Sequence, residues 1–476
     1  MTWNIILGPP GTGKTTKLLG LTEDYLNDGV APHRIGYVAF TKKAANEALE
    51  RASLRFDLDP KELVYFRTIH SLCYKQLGIN KSMVMQLTHY RELGKHLGIE
   101  FSSKLDLSEG RLVTSKKGDR FLFHENMRRI KQITLKEQWN SAYDEDISWF
   151  ELLHTSKAFY KYKETMGLID YTDMLSLFLT EGVSPKLQVL FVDESQDLSM
   201  LQWLVIEKLA KQTEEIYVAG DDDQAIFRWA GADINRFRTL NGKVRVLGES
   251  FRVPERVHSF ASRIIGRVSK RRAKRWRPKH VPGSVQWYSH YEQPKLDSGN
   301  WLLLARNGYM LRQLEELCER NGYIYESKGK SFLASPIIPA VRSWENFRKT
   351  GKITNEEIKS INKYRSQKLK QNAKRPNEIW HKGLDKINAK DREYVIACLR
   401  RKESFKNKPR IKISTIHGAK GGEADHVMLL TDLAPKSFAD SRNYPDDEAR
   451  VFYVGCTRAK ESLHLIQPMT NLFYDL

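Results

Sequence analysis

Gly8-Pro9-Pro10-Gly11-Thr12-Gly13-Lys14-Thr15 is the stretch that decides the fold. It matches the pattern G-x-x-x-x-G-K-[ST]. Before it, Trp3-Asn4-Ile5-Ile6-Leu7 reads as a short buried strand, and after it residues 15–26 form a helix-competent run. Strand, glycine-rich turn and helix are the context in which this pattern cradles phosphates. Backbone N–H groups of residues 8–15, with Thr16 adjoining, converge on a nucleotide, and the start of the helix adds partial positive charge. Lys14 is placed to reach the β- and γ-phosphates, and Thr15 to hold Mg²⁺ through its hydroxyl. A chance glycine-rich turn is the competing reading, and the strand–helix context weighs against it.

Bulk properties narrow the class. A chain of 476 residues suggests about three domains. With 41% hydrophobic residues it can build real cores. No apolar run reaches the roughly 18 residues of a membrane span. The first strand starts at once, so no signal peptide is expected. Cys73, Cys318, Cys398 and Cys456 are far apart and form no C-x-x-C pair, so no structural metal is expected. A reduced, cytoplasmic setting follows.

The net charge of +20 is uneven. Residues 341–412 carry 22 Lys+Arg against 8 Asp+Glu, and residues 261–280 carry 9 basic and no acidic residues. Such concentration suggests a polyanionic partner. Trp276, Trp344 and Trp380 lie among these cations and are candidates to stack on bases. A solvated basic surface is the alternative.

Along the chain, strands alternate with helices in 1–78, at 35–40 (strand) and 42–52 (helix), which predicts a parallel sheet. Residues 79–164 are mixed-charge and helical, with Trp139, Tyr143, Trp149, Phe150, Phe159 and Tyr160 as expected core. The α/β pattern resumes through 165–249 with strands at 188–192 and 215–219. A second α/β unit is expected over 250–335 and 406–476, with strands at 301–305, 411–415 and 426–430. It is interrupted at 336–405 by a basic helical insertion.

Acidic residues end two of the strands. Asp193 suits a metal-holding role and Glu194 that of general base. Gln224, after the strand at 215–219, is a candidate to sense the γ-phosphate or position water. Phe227 and Trp229 follow it, with ordinary core packing as their alternative.

These stretches resemble the motifs of the UvrD/Rep-like branch of superfamily 1 helicases, in the family's order. GPPGTGKT (8–15) resembles motif I, YVAFTKKAANEALERA (37–52) motif Ia and TIHSL (68–72) motif Ib. VDESQD (192–197) resembles motif II, GDDDQAIFRWAGAD (220–233) motif III and SFR (250–252) motif IV. STIHGAKGGEADHV (414–427) resembles motif V and EARVFYVGCTRAK (448–460) motif VI. The resemblance implies two RecA-like domains, each carrying a largely helical insertion, with ATP bound between them and Mg²⁺ on Thr15 and Asp193. It implies that Lys14, Asp193, Glu194, Gln224, Arg252 and Arg458 are catalytic, the two arginines reaching the γ-phosphate. Phe251 resembles the residue that stacks on adenine, and Glu423 the motif V carboxylate near ribose and phosphate. Phe40, Thr41, His70, Phe227, Trp229 and His417 resemble residues of a single-strand track. For His70 and His417 a histidine hydrogen-bonded within a loop stays open. Lys420 and Arg450 read as orienting neighbours or as surface.

The implied activity is translocation on single-stranded DNA, 3′ to 5′ by analogy, with unwinding at single/double-strand junctions. Replication, repair and recombination are equally open. A DNA-stimulated ATPase acting as a binding switch, and a small-molecule kinase that leaves motifs III to VI unexplained, are the other readings. The sequence departs from the family pattern in four places, one being a second insertion of only about 70 residues, far smaller than in the larger family members. Only seven residues precede Gly8, so the adenine-reading glutamine motif is not expected and ATP selectivity is open. Motif III reads Trp229-Ala230-Gly231-Ala232 where W-R-G-A is common, with Arg228 before it. The chain ends soon after motif VI, so no appended nuclease or docking tail is expected.

Overall fold

Trp3–Leu7 (β1) buries Ile5, Ile6 and Leu7, as a central parallel strand with both faces covered must. In the computed structural model, which describes residues 3–102, 116–142 and 146–476, β1 lies inside a six-stranded sheet. Its partners are Ile35–Ala39 (β2), Tyr65–Thr68 (β3), Leu187–Asp193 (β4), Thr213–Gly220 (β5) and Gly242–Val246 (β6). The order is β3-β2-β4-β5-β1-β6 and every pair is parallel. Ile5 and Leu7 enter one core and Ile6 the other, as period-two alternation requires. The phosphate loop, Asp193 and Gly220 therefore leave the same carboxyl edge, where open α/β sheets bind ligands.

The chain forms two compact units, Met1–Gly283 with Ala439–Thr457, and Ser284–Phe438 with Arg458–Leu476. The division falls later than the break expected after residue 249. Glu249–Pro254 (β7) and Arg277–Lys279 (β8) pair with each other, and residues 270–274 and Arg450 are tied by ion pairs and hydrogen bonds to the turn after β5.

In the second unit, Ser284–Tyr288 (β9), Trp301–Ala305 (β10), Tyr325–Ser327 (β11), Lys330–Ser331 (β12), Ile411–Thr415 (β13), Ala424–Leu430 (β14) and Ala459–Ile466 (β15) form one sheet. The order is β12-β11-β13-β10-β14-β15-β9, parallel except for the β11–β12 hairpin.

Both expected insertions contain helices. Within 79–164 lie Leu87–Leu97, Lys117–Lys131, Leu135–Ser141 and Trp149–Met166. Phe159 is core there, Trp139, Trp149 and Tyr160 are half-buried, and Tyr143 lies outside the described residues. Phe150 corrects the expectation, being 80% exposed. Leu152, Thr155, Ser156, Phe159 and Lys163 set the buried stripe of its helix, and Phe150 falls on the opposite face.

Within 336–405, helices Ile337–Thr350, Asn355–Asn362, Trp380–Gly383 and Ala389–Arg400 close a core of their own. Trp344 (1% exposed) and Trp380 (4%) are part of it, so neither is available to stack on bases. Trp276 is engaged edge-on with His258 at 4.3 Å. No helix among the described residues is long and apolar enough to cross a membrane.

Candidate functional site

The phosphate loop is anchored where β1 meets β5, with Gly8 N–H donating to Gly220 O at 3.0 Å. Gly11 and Gly13 both have positive φ, in the left-handed region that L side chains resist. Gly13 caps the helix Lys14–Asn27 without a side-chain hydrogen bond, which suits the first N–H groups to an anion. Lys14 folds back over the loop and donates from Nζ to Gly8 O at 3.0 Å, 3.8 Å from Glu194 Oε1.

Asp193, 3% exposed, is the centre of the site. Its Oδ2 accepts from Thr15 Oγ1 at 2.9 Å and from Tyr37 OH at 2.7 Å, and its Oδ1 accepts from Glu194 N–H at 2.8 Å. Burial, then the charge of Glu194, pushes the carboxyl above its ordinary range. A buried carboxylate beside a threonine hydroxyl is a hard-oxygen donor set, which fits Mg²⁺ and not a soft metal. Glu194 itself is held in the left-handed conformation, which costs energy in a non-glycine residue and recurs at functional sites.

Two residues that sequence reading passed over knit this site together. Gln196 donates from Nε2 to Glu194 Oε2 at 2.5 Å and accepts from Asp221 N–H at 3.0 Å through Oε1. Gln224 Nε2 in turn donates to Asp221 Oδ2 at 2.7 Å. The general-base candidate and the γ-phosphate candidate thus share one hydrogen-bonded chain.

The second is Lys274, whose side chain is 0% exposed. Its Nζ lies 2.7 Å from Asp221 Oδ1 and 3.1 Å from Asp223 Oδ2, and also contacts Asp222. The three carboxylates lie within 4.8 Å of one another, and the lysine ammonium takes the position a bound cation would occupy. Arg271 adds a forked pair to Asp223, Arg272 N–H donates to Asp222, and Arg450 Nε donates to Asp222 O at 2.9 Å. Burial and the other two aspartates outweigh the cations at Asp223, whose carboxyl rises to about 6. At Asp221 burial also opposes ionisation, but Lys274 prevails and the carboxyl falls below its usual value.

The basic stretch 261–280, read as a polyanion surface, therefore spends Arg271, Arg272 and Lys274 inside the first unit. Arg450 is 3% exposed and is therefore not surface. The sequence signal for a buried cation was the Asp221-Asp222-Asp223 run itself, which needs cationic partners once it follows a core strand, but it did not name Lys274 as one of them.

Ser250-Phe251-Arg252 closes the loop from the other side. Ser250 Oγ donates to Pro10 O at 2.8 Å, and Phe251 N–H to Gly11 O at 2.9 Å. A Cβ on Gly11 would stand 2.4 Å from the Arg252 Cβ, so the glycine is required by close approach as well as by φ. Phe251 is 74% exposed beside the loop, a placement that suits stacking on a flat base.

Among the expected DNA residues, Phe40 and Phe227 lie 5.9 Å apart and Phe227 and Trp229 6.3 Å apart, forming one half-buried aromatic group. Thr41 caps the helix Lys42–Phe56 by accepting from Ala44 N–H at 3.1 Å. His70 stands edge-on to Tyr171 at 6.4 Å; burial pushes its imidazole down to about 4 despite Asp170, so it is neutral at pH 7.

The remaining candidates belong to the second unit. His417 is buried, after β13. Arg458 is 2% exposed and donates from an Nη to Gly422 O at 3.2 Å. Glu423 pairs with Lys460 at 2.8 Å. Lys14, Thr15, Asp193, Glu194 and Gln224 are thus brought together in the first unit with the backbone at Arg252, while Glu423 and Arg458 neighbour each other in the second.

The chain is similar to known proteins along both units. The UvrD/REP helicase N-terminal domain matches residues 2–245, and the UvrD-like helicase C-terminal domain matches residues 411–466. A probable DNA helicase II homolog of Mycoplasma genitalium is 28% identical over 270 residues, covering 53% of this chain and 37% of that protein. The ATP-dependent DNA helicase PcrA of Bacillus subtilis is 26% identical over 297 residues, covering 57% of this chain and 38% of that protein. PcrA of Staphylococcus aureus is 24% identical over 294 residues, covering 57% and 39%. The matched region therefore spans less than two-fifths of the length of these relatives. The N-terminal match alone takes in half the chain, the C-terminal match falls on the strands of the second sheet, and the chain belongs to the UvrD/REP helicase family.

Proposed function

We propose that the chain is an ATP-dependent translocase on single-stranded DNA that unwinds duplex DNA, moving 3′ to 5′. The observation that carries this reading is the contact between Thr15 Oγ1 and Asp193 Oδ2 at 2.9 Å, which joins residues 178 apart in sequence. It places a hydroxyl and a carboxylate beside an anion-binding loop, with Glu194 next in the chain. Similarity to DNA helicases supports DNA as the substrate class.

In this reading Lys14 leaves Gly8 O for the β- and γ-phosphates, and Phe251 stacks on the base. Thr15 and Asp193 would hold Mg²⁺, which when bound would neutralise charge on the phosphates. Glu194 takes the proton from the attacking water, which Gln224 orients from its place on Asp221. Arg252 and Arg458 stabilise charge that develops on the γ-phosphoryl group. Arginines in this role contribute about 10³–10⁵ in rate. Phe40, Phe227 and Trp229, with His70, Thr41 and His417, contact the strand, and base stacking tolerates every sequence. Cations of 341–412 add contacts to phosphates.

Strand displacement on short duplexes with a 3′ or a 5′ single-stranded tail tests the proposal. Displacement with ATP and Mg²⁺ from the 3′-tailed substrate is expected. ATP turnover stimulated by DNA without displacement from either substrate would mean a nucleotide-driven binding switch instead.

A further inference from the structure

We propose that Tyr37 is a positioning residue that sets the cation affinity of the Thr15–Asp193 pair. The inference rests on the nucleotide reading above and adds to it a residue from the middle of the sheet.

Tyr37 is 0% exposed, in a strand whose five residues are all buried. Its ring stacks on Phe66 at 5.3 Å and tilts against Phe191 at 6.4 Å. Packing of that kind is served by phenylalanine. The hydroxyl is costly in such a layer unless it is bonded, and it is bonded to Asp193 Oδ2 at 2.7 Å.

Three donors from three places in the sequence thus fix one carboxylate: Thr15 Oγ1, Tyr37 OH and the Glu194 N–H. Their tasks differ. The threonine hydroxyl donates its proton to Asp193 and keeps lone pairs for a cation. The Glu194 N–H is backbone and cannot be tuned. Tyr37 reaches Asp193 from a buried strand inside the core. Its O–H is the donor in that bond, with the Asp193 carboxylate oxygen accepting. It fixes the orientation of the Asp193 carboxylate, and hence where the cation sits between that group and Thr15. Outer-shell partners of this kind are typically worth about 10–100-fold in metal affinity or activity.

The test is Tyr37→Phe, which keeps the ring and removes only the hydroxyl. Mn²⁺ serves as the probe, its affinity read by electron paramagnetic resonance on the complex with ADP, beside ADP affinity without metal. Thr15→Val is measured in parallel. The expected result is Mn²⁺ binding weaker by about 10–100-fold in Tyr37→Phe, with metal-free ADP binding unchanged. The half-saturating Mg²⁺ for ATP turnover should rise by a similar factor, with kcat recovering at high Mg²⁺. Loss of metal-free ADP binding to the same degree would make the role merely structural and overturn the proposal. So would wild-type Mn²⁺ affinity in Tyr37→Phe alongside a weakened Thr15→Val. Wild-type affinity in both variants would instead remove the Thr15–Asp193 cation site itself.

Discussion

Lys274→Met is the sharpest perturbation of the account. It removes the ammonium while keeping most of the stem's volume. The ammonium lies 2.7 Å and 3.1 Å from carboxylate oxygens of Asp221 and Asp223, contacts Asp222, and is fully shielded from water. Removing one partner from a buried ion pair costs about 3–5 kcal/mol, because a charge is left uncompensated. Here three carboxylates lose a shared partner, while Arg271 and the Arg272 N–H remain to hold Asp223 and Asp222. We therefore expect a loss of about 3–5 kcal/mol for the first unit at pH 8.

The loss should depend on pH in a set direction. In the wild type Lys274 holds Asp221 below its ordinary pKa, a contribution present above the unfolded value of 3.8 and lost as pH falls through the folded one. Asp223 already stands at about 6, so its contribution runs the other way and stability is lost as pH rises towards that value. Without Lys274 both carboxyls rise, Asp221 from below its ordinary value and Asp223 from above it. The variant's deficit must then grow as pH climbs through 4–7 and shrink in acid, where the carboxyls take up protons. Urea unfolding of both proteins at pH 5 and pH 8 reads this out. A deficit under about 1 kcal/mol, the scale of an exposed ion pair, or one equal at the two pH values, would refute the buried-clamp argument.

Lys14→Ala should abolish ATP turnover while single-stranded DNA affinity, read by fluorescence anisotropy, is largely kept; retained turnover would remove the loop from the chemistry. Arg458→Ala should lower kcat by about 10³-fold or more with a modest change in ATP affinity, and a loss confined to affinity would contradict a transition-state role. Gly11→Ala should impair nucleotide binding through both its positive φ and the 2.4 Å approach to Arg252 Cβ, which equilibrium binding of a fluorescent ADP measures. Neutralising Lys363, Lys368, Lys370 and Lys374 together should flatten the salt dependence of single-stranded DNA affinity, by about 0.7 for each phosphate the chain no longer neutralises; an unchanged slope would make this segment a solvated surface.

The parts of the fold set by contiguous sequence were legible. The phosphate loop, the helix after it and the strands at 187–193 and 301–305 follow from short-range pattern, and motif order placed Asp193 near Thr15 without any contact being visible. What escaped were partners set by tertiary packing. Counting cations in 261–280 could not show that Lys274 faces inward, because its partners Asp221, Asp222 and Asp223 lie far earlier in the chain. Trp344 and Trp380 sit among lysines in sequence, yet helical spacing turns both into the insertion's own core. Phe150 fell off the buried stripe by its phase in the helix, although Trp149 and Leu152 close by are apolar. Tyr37 read as one more residue of a buried strand. Its hydroxyl was the available signal, since a phenol in a wholly buried strand needs a partner, but the sequence alone does not say which.

If the Thr15–Asp193 site drives movement along a single strand as proposed, its ATP turnover must answer to DNA. Initial rates of ATP turnover are taken with and without oligothymidine, on the wild-type chain and on Trp229→Ala with Phe227→Ala. Turnover should be low alone, rise strongly with the oligonucleotide, and lose that rise in the double variant. Turnover that ignores the oligonucleotide in the wild type would contradict the proposal.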